Sequence, residues 1–319
     1  MAPAHQGAVA DPSPFRRGWV FWLMGRSSLR RWTAAVLILG ACTPRHRHPQ
    51  LVRAPSVTDD AGRTVTLPAP AQRVVSLAPS STELLFAVGA GRQVVGRTTW
   101  CRYPPAALSV PVVGDGLEPN IESVAAVRPD LVVLYRSPSN GAALTQLEQL
   151  GIPAVVLRQD RLEDVARDAR LLGTLTGHPA VGDSVAQTLD VVTAGRSPVA
   201  HVHIAYVVWD SPPIVIGAGS FLDQLGTLAG AQNVFHDLRT ASAPVSLESI
   251  ASRNPDVIAV VDDSSAAATP SFARRPEWKA VPAVKAGRIL HLPGDLFGRP
   301  SPRAAQAIAA FTRLLNTVK

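Results

Sequence analysis

The sequence predicts an α/β protein built of two like lobes joined by a helical bridge. Three observations carry this. Apolar strand-like runs alternate with helix-like segments from about residue 57 onward. The stretch NIESVAAVRPDLVVL at 120–134 recurs as SLESIASRNPDVIAV at 246–260, so that Glu248 follows Glu122 by 126 residues. Between the copies lies a run of helix formers, 162–195. Strand–helix alternation favours parallel pairing with helices on the sheet faces. A repeat period this long marks whole lobes and not the short unit of a solenoid.

The elements follow in order. Residues 1–41 carry Arg16, Arg17, Arg26, Arg30 and Arg31 against Asp11 alone, and Arg30-Arg31 precede the apolar run WTAAVLILGA. A basic segment before an apolar run of about ten residues is the pattern of an export signal and is too short to span a bilayer. Leu39-Gly40-Ala41-Cys42 resembles the lipobox of bacterial lipoproteins, which implies cleavage before Cys42 and acylation of its thiol. Met24 opens a signal of ordinary length, so residues 1–23 are expected to lie before the true start. Residues 42–56 combine Pro, Arg and His without apolar periodicity and read as a tether. The formal charge of +7 shrinks to 26 basic against 23 acidic residues once 1–41 is removed. No basic cluster with interleaved aromatics is left, which argues against nucleic acid.

VTDDAGRTVTL, with Ala61-Gly62 at its turn, predicts a small hairpin. RVVSLAP at 73–79 is a strand ended by proline, and SSTELLFAVGA a helix with Glu83 in its first turn and Gly89 at its stop. QVVGRT and VPVVGD are short strands. The first repeat copy follows, then the helix SNGAALTQLEQLGI and the strand PAVVLR, closing an N-terminal lobe at 57–161. Leu162, Val165, Ala169, Leu172 and Leu175 fall at helical spacing, and the bridge at 162–196 is expected to be one long helix broken or kinked at Gly177-His178-Pro179. The C-terminal lobe, 197–319, repeats the order with AHVHIAYVVWD, PPIVIGAG, SFLDQLGTLAGA, the second copy, GRILHLP and a terminal helix.

Within each copy a polar residue, Asn120 or Ser246, stands where an N-cap belongs, and Glu122 or Glu248 falls in the first turn. A carboxylate there interacts favourably with the helix dipole by roughly 0.3–1 kcal/mol. That accounts for an acid in each copy but not for a matched pair of glutamates.

RVVSLAPSSTELLFAVGAGRQVVG, CRYPPAAL, both repeat copies, LEQLGIPAVVL, GAQNVF and DLFGRPSPRA together resemble the class III substrate-binding proteins of bacterial ABC importers, the receptors for cobalamin, haem and ferric siderophores. The resemblance covers nearly all of 57–318. It implies two Rossmann-like α/β lobes, one rigid backbone helix and a ligand cleft between the lobes. It also implies that Glu122 and Glu248, one per lobe, dock onto arginines of a two-fold permease dimer. The protein would then be a monomer, exported and held at the membrane by its lipid, binding a small molecule and no nucleic acid.

The cobalamin-binding members are the most similar, and Tyr103, Tyr135, Trp209, Asp295 and Arg299 fall on their ligand-contacting positions. Aromatics are only 5 % of the chain, and these sit where strand-end loops are expected. Two departures stand out: Asp115-Gly116 and Ser242-Ala243 occupy places where the cobalamin receptor has tryptophans. A less aromatic pocket keeps haem and ferric siderophores as alternatives to a corrinoid. Arg97, Arg102, Arg136 and Arg299 are the candidate partners of an anionic siderophore. In each case the metal arrives as part of the ligand, and no resident cofactor or protein metal site is expected.

An enzyme is the rival class. The chain lacks Gly-x-Ser-x-Gly, His-Glu-x-x-His and a P-loop, and GAGRQV at 89–94 follows a helix where a dinucleotide fingerprint needs a strand. A metallocofactor-handling enzyme on a related two-lobed fold would need more thiols than Cys101 supplies beyond Cys42.

Overall fold

The computed structural model describes residues 54–116, 119–195, 202–262 and 269–318. The signal, Cys42 and most of the tether therefore lie outside the described residues. β1 (Ser56–Thr58) and β2 (Thr64–Thr66) form the expected antiparallel hairpin. Its turn is fixed by Gly62 at φ +76° and by the Asp59 carboxylate, which accepts the backbone N–H groups of Ala61 and Arg63.

The first lobe continues with β3 (Val74–Ser76), α1 (Pro79–Ala87), β4 (Val94–Thr98), β5 (Val112–Gly114), α2 (Ile121–Ala126), β6 (Leu131–Tyr135), α3 (Pro138–Gln149) and β7 (Ala154–Leu157). Its sheet runs β5-β4-β3-β6-β7 and every pairing is parallel. The central strands are continuous apolar runs, because a parallel sheet is covered on both faces: Val74, Val75, Leu131, Val132, Val133 and Leu134 are all fully buried. Burial of one such Leu or Val stabilises by roughly 1.5–3 kcal/mol.

The bridge departs from a single rod. α4 (Leu162–Thr176) ends at Gly177, which takes the left-handed conformation at φ +81°, and α5 (Pro179–Thr193) starts with proline at its first position. The chain reverses there. Arg170 on α4 pairs with Asp190 at 2.6 Å and approaches Asp183 at 3.8 Å, so the two helices lie antiparallel. Two small residues allow the close approach: a Cβ on Gly182 would come within 2.5 Å of the Ala169 carbonyl oxygen, and one on Gly173 within 2.9 Å of Gly182. The bridge is a helical hairpin, and the proline opens its second helix.

The second lobe comprises β8 (Val202–Asp210), β9 (Pro213–Ile216), α6 (Phe221–Ala229), β10 (Ala231–Asn233), β11 (Ser242–Pro244), α7 (Leu247–Ser252), β12 (Val257–Asp262), α8 (Pro282–Lys285), β13 (Ile289–Pro293), α9 (Gly294–Phe297) and α10 (Ala304–Leu315). The order is β11-β9-β8-β12-β13, with β10 beside the start of β8. β8, β12 and β13 are parallel, whereas β9 runs antiparallel to both β8 and β11. Only Ser211 and Pro212 separate β8 from β9, too few for a crossover, so a hairpin is forced.

One continuous apolar core joins the lobes through α1, α4, α5, α6 and α10, and separate smaller cores line the outer face of each sheet. Tyr206, Phe297 and Phe311 meet edge to face within the shared core.

A ligand-sized cleft between the lobes

Five strands of the first lobe end at the same place. β3 leads into Leu77-Ala78-Pro79-Ser80, β4 into Trp100, β5 into Asp115-Gly116, β6 ends at Tyr135, and β7 leads into Gln159-Asp160. These residues form one wall of a cavity of about 490 Å³. The facing wall comes from the second lobe: Ser220 and Phe221 at the start of α6, Ala241 before β11, and Gly298-Arg299-Pro300 after α9. Parallel α/β sheets present ligands at the carboxyl ends of their strands, and this cavity has that position. A larger, shallower depression of about 810 Å³ lies near the opposite strand ends, around Arg73, Arg92 and Pro111. It draws on the first lobe alone, whereas the cleft has walls from both lobes and several converging polar groups.

Each polar group is held in place. The Tyr135 hydroxyl donates to the Asp160 carboxylate at 3.0 Å. Burial, then the charge of Asp160, pushes the Tyr135 phenol up to about 12, so it stays protonated at any physiological pH. Gln159 is buried and accepts from Ser81 at 3.3 Å. Gly116, at φ +85°, brings backbone to the cavity edge where a Cβ would lie 2.8 Å from the Leu77 carbonyl oxygen. Arg299 donates through Nε to Glu83 at 2.8 Å. The backbone also crosses the cleft: Phe221 N–H donates to the Asp160 carbonyl at 2.7 Å, and the Ser80 hydroxyl to the Pro300 carbonyl at 2.7 Å. The walls are otherwise largely apolar, with the Trp100 indole, about half exposed, as the broadest surface.

A family model described as periplasmic binding protein matches residues 74–296, which spans both walls of this cleft. The chain belongs to that family. Periplasmic binding proteins are extracytoplasmic receptors of ABC importers, and the chain's relatives fit that role. It is 28 % identical over 252 residues to the vitamin B12-binding protein of Vibrio cholerae, a match covering 76 % of this chain and 88 % of the relative. It is 30 % identical over 244 residues to the vitamin B12-binding protein of Yersinia pestis, covering 75 % and 85 %. Among solved structures, the periplasmic vitamin B12-binding protein of Vibrio cholerae superposes with a TM-score of 0.63 at 27 % identity, over 78 % of this chain and 98 % of that one. A periplasmic haem-binding protein of Pseudomonas aeruginosa gives 0.63 at 25 % identity, over 78 % and 94 %.

Within this periplasmic binding protein the residues singled out from sequence separate into groups. Tyr135 and Arg299 line the cavity. Tyr103 and Asp295 are not on its lining, and Arg303 gathers them: the guanidinium lies 3.8 Å over the Tyr103 ring and donates to the Asp295 carbonyl at 2.6 Å. Trp209 does not line that cavity. It is 59 % exposed, donates to the Ser211 carbonyl, and borders a separate depression with Asp210 and Asp262. The β8–β9 hairpin carries it there. Of the other arginines, Arg97 is buried and spends its donors on the carbonyls of Thr98, Leu108 and Val110. Arg136 reaches toward the Asp60 carbonyl at 3.4 Å, and Arg102 sits 5.7 Å over the Trp100 ring.

Glu122 and Glu248 are exposed, and neither borders the cavity. Asn120 and Ser246 cap their helices by accepting the N–H of Ser123 and Ser249. Backbone hydrogen bonding and the Ser246 hydroxyl hold the Glu248 carboxyl below the usual range, so it is ionised at neutral pH. Sequence reasoning missed Trp100, Phe221, Gln159 and Asp160 on the cleft wall. The rule that picked out strand-end aromatics also fits Trp100, two residues after β4.

Proposed function

We propose that this periplasmic binding protein captures a corrinoid-class ligand in the cleft and hands it to a two-fold ABC permease. The observation that supports it best is the cavity itself: about 490 Å³, drawn from both lobes, with Trp100 and Phe221 as flat apolar surfaces and Tyr135, Asp160 and Arg299 as fixed polar groups. A broad amphipathic ring system with hydrogen-bonding substituents suits such walls. The named activities of its vitamin B12-binding relatives favour the same ligand class. Haem is the second reading, favoured by the Pseudomonas aeruginosa relative and by the lack of aromatic side chains at Asp115, Gly116, Ser242 and Ala243. The cleft takes the ligand with its metal already bound.

Glu122 and Glu248 serve as paired docking acids, one per lobe, and their exposure outside the cleft fits that role. Cys42 serves as the lipid anchor that keeps a monomeric receptor near its permease, with residues 43–56 as its tether.

The test is a parallel titration of the full-length protein with cyanocobalamin, haemin and ferric hydroxamates, followed by tryptophan fluorescence and calorimetry. Cyanocobalamin should bind most tightly and quench the cleft-wall Trp100. Preference for haemin selects the second reading, and absence of binding to every compound rejects the ligand assignment.

A further inference from the structure

Glu83 looks from sequence like an ordinary first-turn acid, but α1 already starts at Pro79, so the residue falls in the second turn, and its side chain is only 1 % exposed. The partners that hydrogen-bond its carboxylate all come from the other lobe. Arg299 Nε and Arg303 Nη2 each donate to Oε1 at 2.8 Å. Arg303 Nε donates to Oε2 at 2.8 Å and the Ser301 hydroxyl to the same oxygen at 2.6 Å. These four donors use the capacity of an ionised carboxylate well. They stand 216–220 residues further along the chain. Arg303 also stacks on Tyr103 of the first lobe, so the same short segment is gripped twice.

We propose that Glu83 is a positioning residue of the ligand cleft: it fixes Arg299 on the cavity wall and fastens segment 299–303 to the first lobe, so that the cavity is formed before a ligand arrives. This rests on the cleft being the ligand site.

Electrostatics makes the grip specific. The Arg299 and Arg303 side chains are 16 % and 13 % exposed, and their guanidinium groups share Glu83 as counter-charge. Without it two poorly solvated cations face each other, and removing one partner of a buried pair is far costlier than the pair's net worth. Relief comes by swinging the arginines toward water, which draws 299–303 away from α1 and opens one wall of the cavity. Glu83 occupies only the Nε edge of Arg299. Its Nη2 is buried without a hydrogen-bond partner among the described residues, and the Asp295 carboxylate is 3.7 Å from it.

Two measurements on the full-length protein test this. Hydrogen exchange without ligand reads the clamp alone: Glu83→Gln should speed exchange in residues 298–304 and the first turn of α1, with the sheets still protected. Titration with cyanocobalamin and haemin reads the cleft, using wild type, Glu83→Gln, Arg299→Ala and the double variant. Glu83→Gln should raise Kd about tenfold or more in the wild-type background and at most about twofold beside Arg299→Ala, because contacting residues couple when one acts through the other. Glu83→Asp keeps the charge and should restore part of the protection. It carries both readouts if Glu83→Gln does not fold. Unchanged exchange, or an equal loss of affinity in both backgrounds, overturns the proposal. If neither compound binds wild type, the ligand reading fails, and exchange still decides the clamp.

Discussion

Helices α2 and α7 match feature for feature, while the sheets around them do not. In each, a side-chain cap precedes an exposed glutamate, and the helix is followed by a left-handed residue and then proline: Arg128 at φ +47° in one, Asn254 at φ +45° in the other. The next residue ties back to the central strand in the same way. Asp130 accepts the N–H of Arg73 and Asp256 that of His203, and each donates its own N–H to the same residue's carbonyl. Around them, the first sheet is wholly parallel and the second turns on the β8–β9 hairpin. The first lobe gives the cleft five strand ends, and the second gives a helix start and the 298–300 segment. The likeness is held where the molecule faces outward with two acids, and it is absent around the cleft. A symmetric partner and an asymmetric ligand would ask for that division.

The largest expected effect breaks the outward likeness. Glu122→Ala with Glu248→Ala should reduce ligand uptake by cells to background while the Kd of the isolated protein stays within about twofold. Exposed charge pairs contribute little energy singly, so each single variant should keep part of the uptake. A weakened Kd in the double variant would place the acids in the cleft and defeat their docking role.

Two buried carboxylates sharpen the contrast inside. Asp168 on α4 backs the first lobe and Asp223 on α6 lies in the second, with side chains 0 % and 3 % exposed. Asp223 is well satisfied, accepting from Asn233 at 2.8 Å and pairing with His236 at 2.9 Å. Asp168 holds Arg167 through one oxygen, and its Oδ2 has no partner within hydrogen-bond distance among the described residues. Burial pushes the Asp168 carboxyl up to about 7, against the pull of Arg167, with Asp60 adding to the rise and Gln159 opposing it. A carboxyl raised in the folded state binds its proton more tightly there than in the unfolded chain. Its contribution is therefore complete at low pH and is lost as pH rises from about 4 to about 7. Asp168→Asn should flatten that slope and stabilise the protein at pH 8, by up to about 4 kcal/mol. Asp223→Asn should destabilise it at pH 5 and pH 8 alike, by about 1–3 kcal/mol, since the amide keeps one acceptor oxygen and one of the two partners is left facing an NH2 group. Denaturant unfolding at pH 5 and pH 8 checks both. A pH-independent effect of Asp168→Asn would show that the carboxyl titrates where carboxyls ordinarily do.

The division also marks how far the sequence could be read. Capping residues, first-turn acids and strand runs are set by neighbours a few positions away, and α2, α7 and the central strands stand where local pattern puts them. The bridge shows the limit. Gly177-His178-Pro179 announces a break, but the reversal depends on Gly173 meeting Gly182 across two helices, which no local period records. Glu83 is the same case at greater range: its helical position is visible, and its partners more than 200 residues later are not. Trp209 looked like a cleft residue because a strand end was expected to face the ligand. It stands at the end of β8 beside Asp262 at the end of β12, in a depression separate from the cavity that Tyr135 and Arg299 line, and no local pattern tells the two apart.

The smallest expected effect tests whether the outward likeness is a matter of backbone alone. Arg128 and Asn254 are both exposed and occupy matched left-handed positions. The left-handed region costs most side chains roughly 1 kcal/mol or more relative to glycine, and asparagine less, because its short polar side chain bonds locally. Glycine in turn gives up more conformational freedom on folding, which offsets part of the relief. Arg128→Gly should therefore stabilise the protein by about 0.5 kcal/mol, and Asn254→Gly should leave it unchanged within a few tenths, measured by thermal unfolding. The Arg128 carbonyl, which accepts from Arg73 Nε at 2.9 Å, survives either change, so no side-chain contact confounds the reading. Equal gains at both sites would mean that the two turns carry the same strain and that asparagine confers no advantage at 254. A loss at Arg128 would mean that its side chain, and not only its backbone, belongs to the outward face that the two acids share.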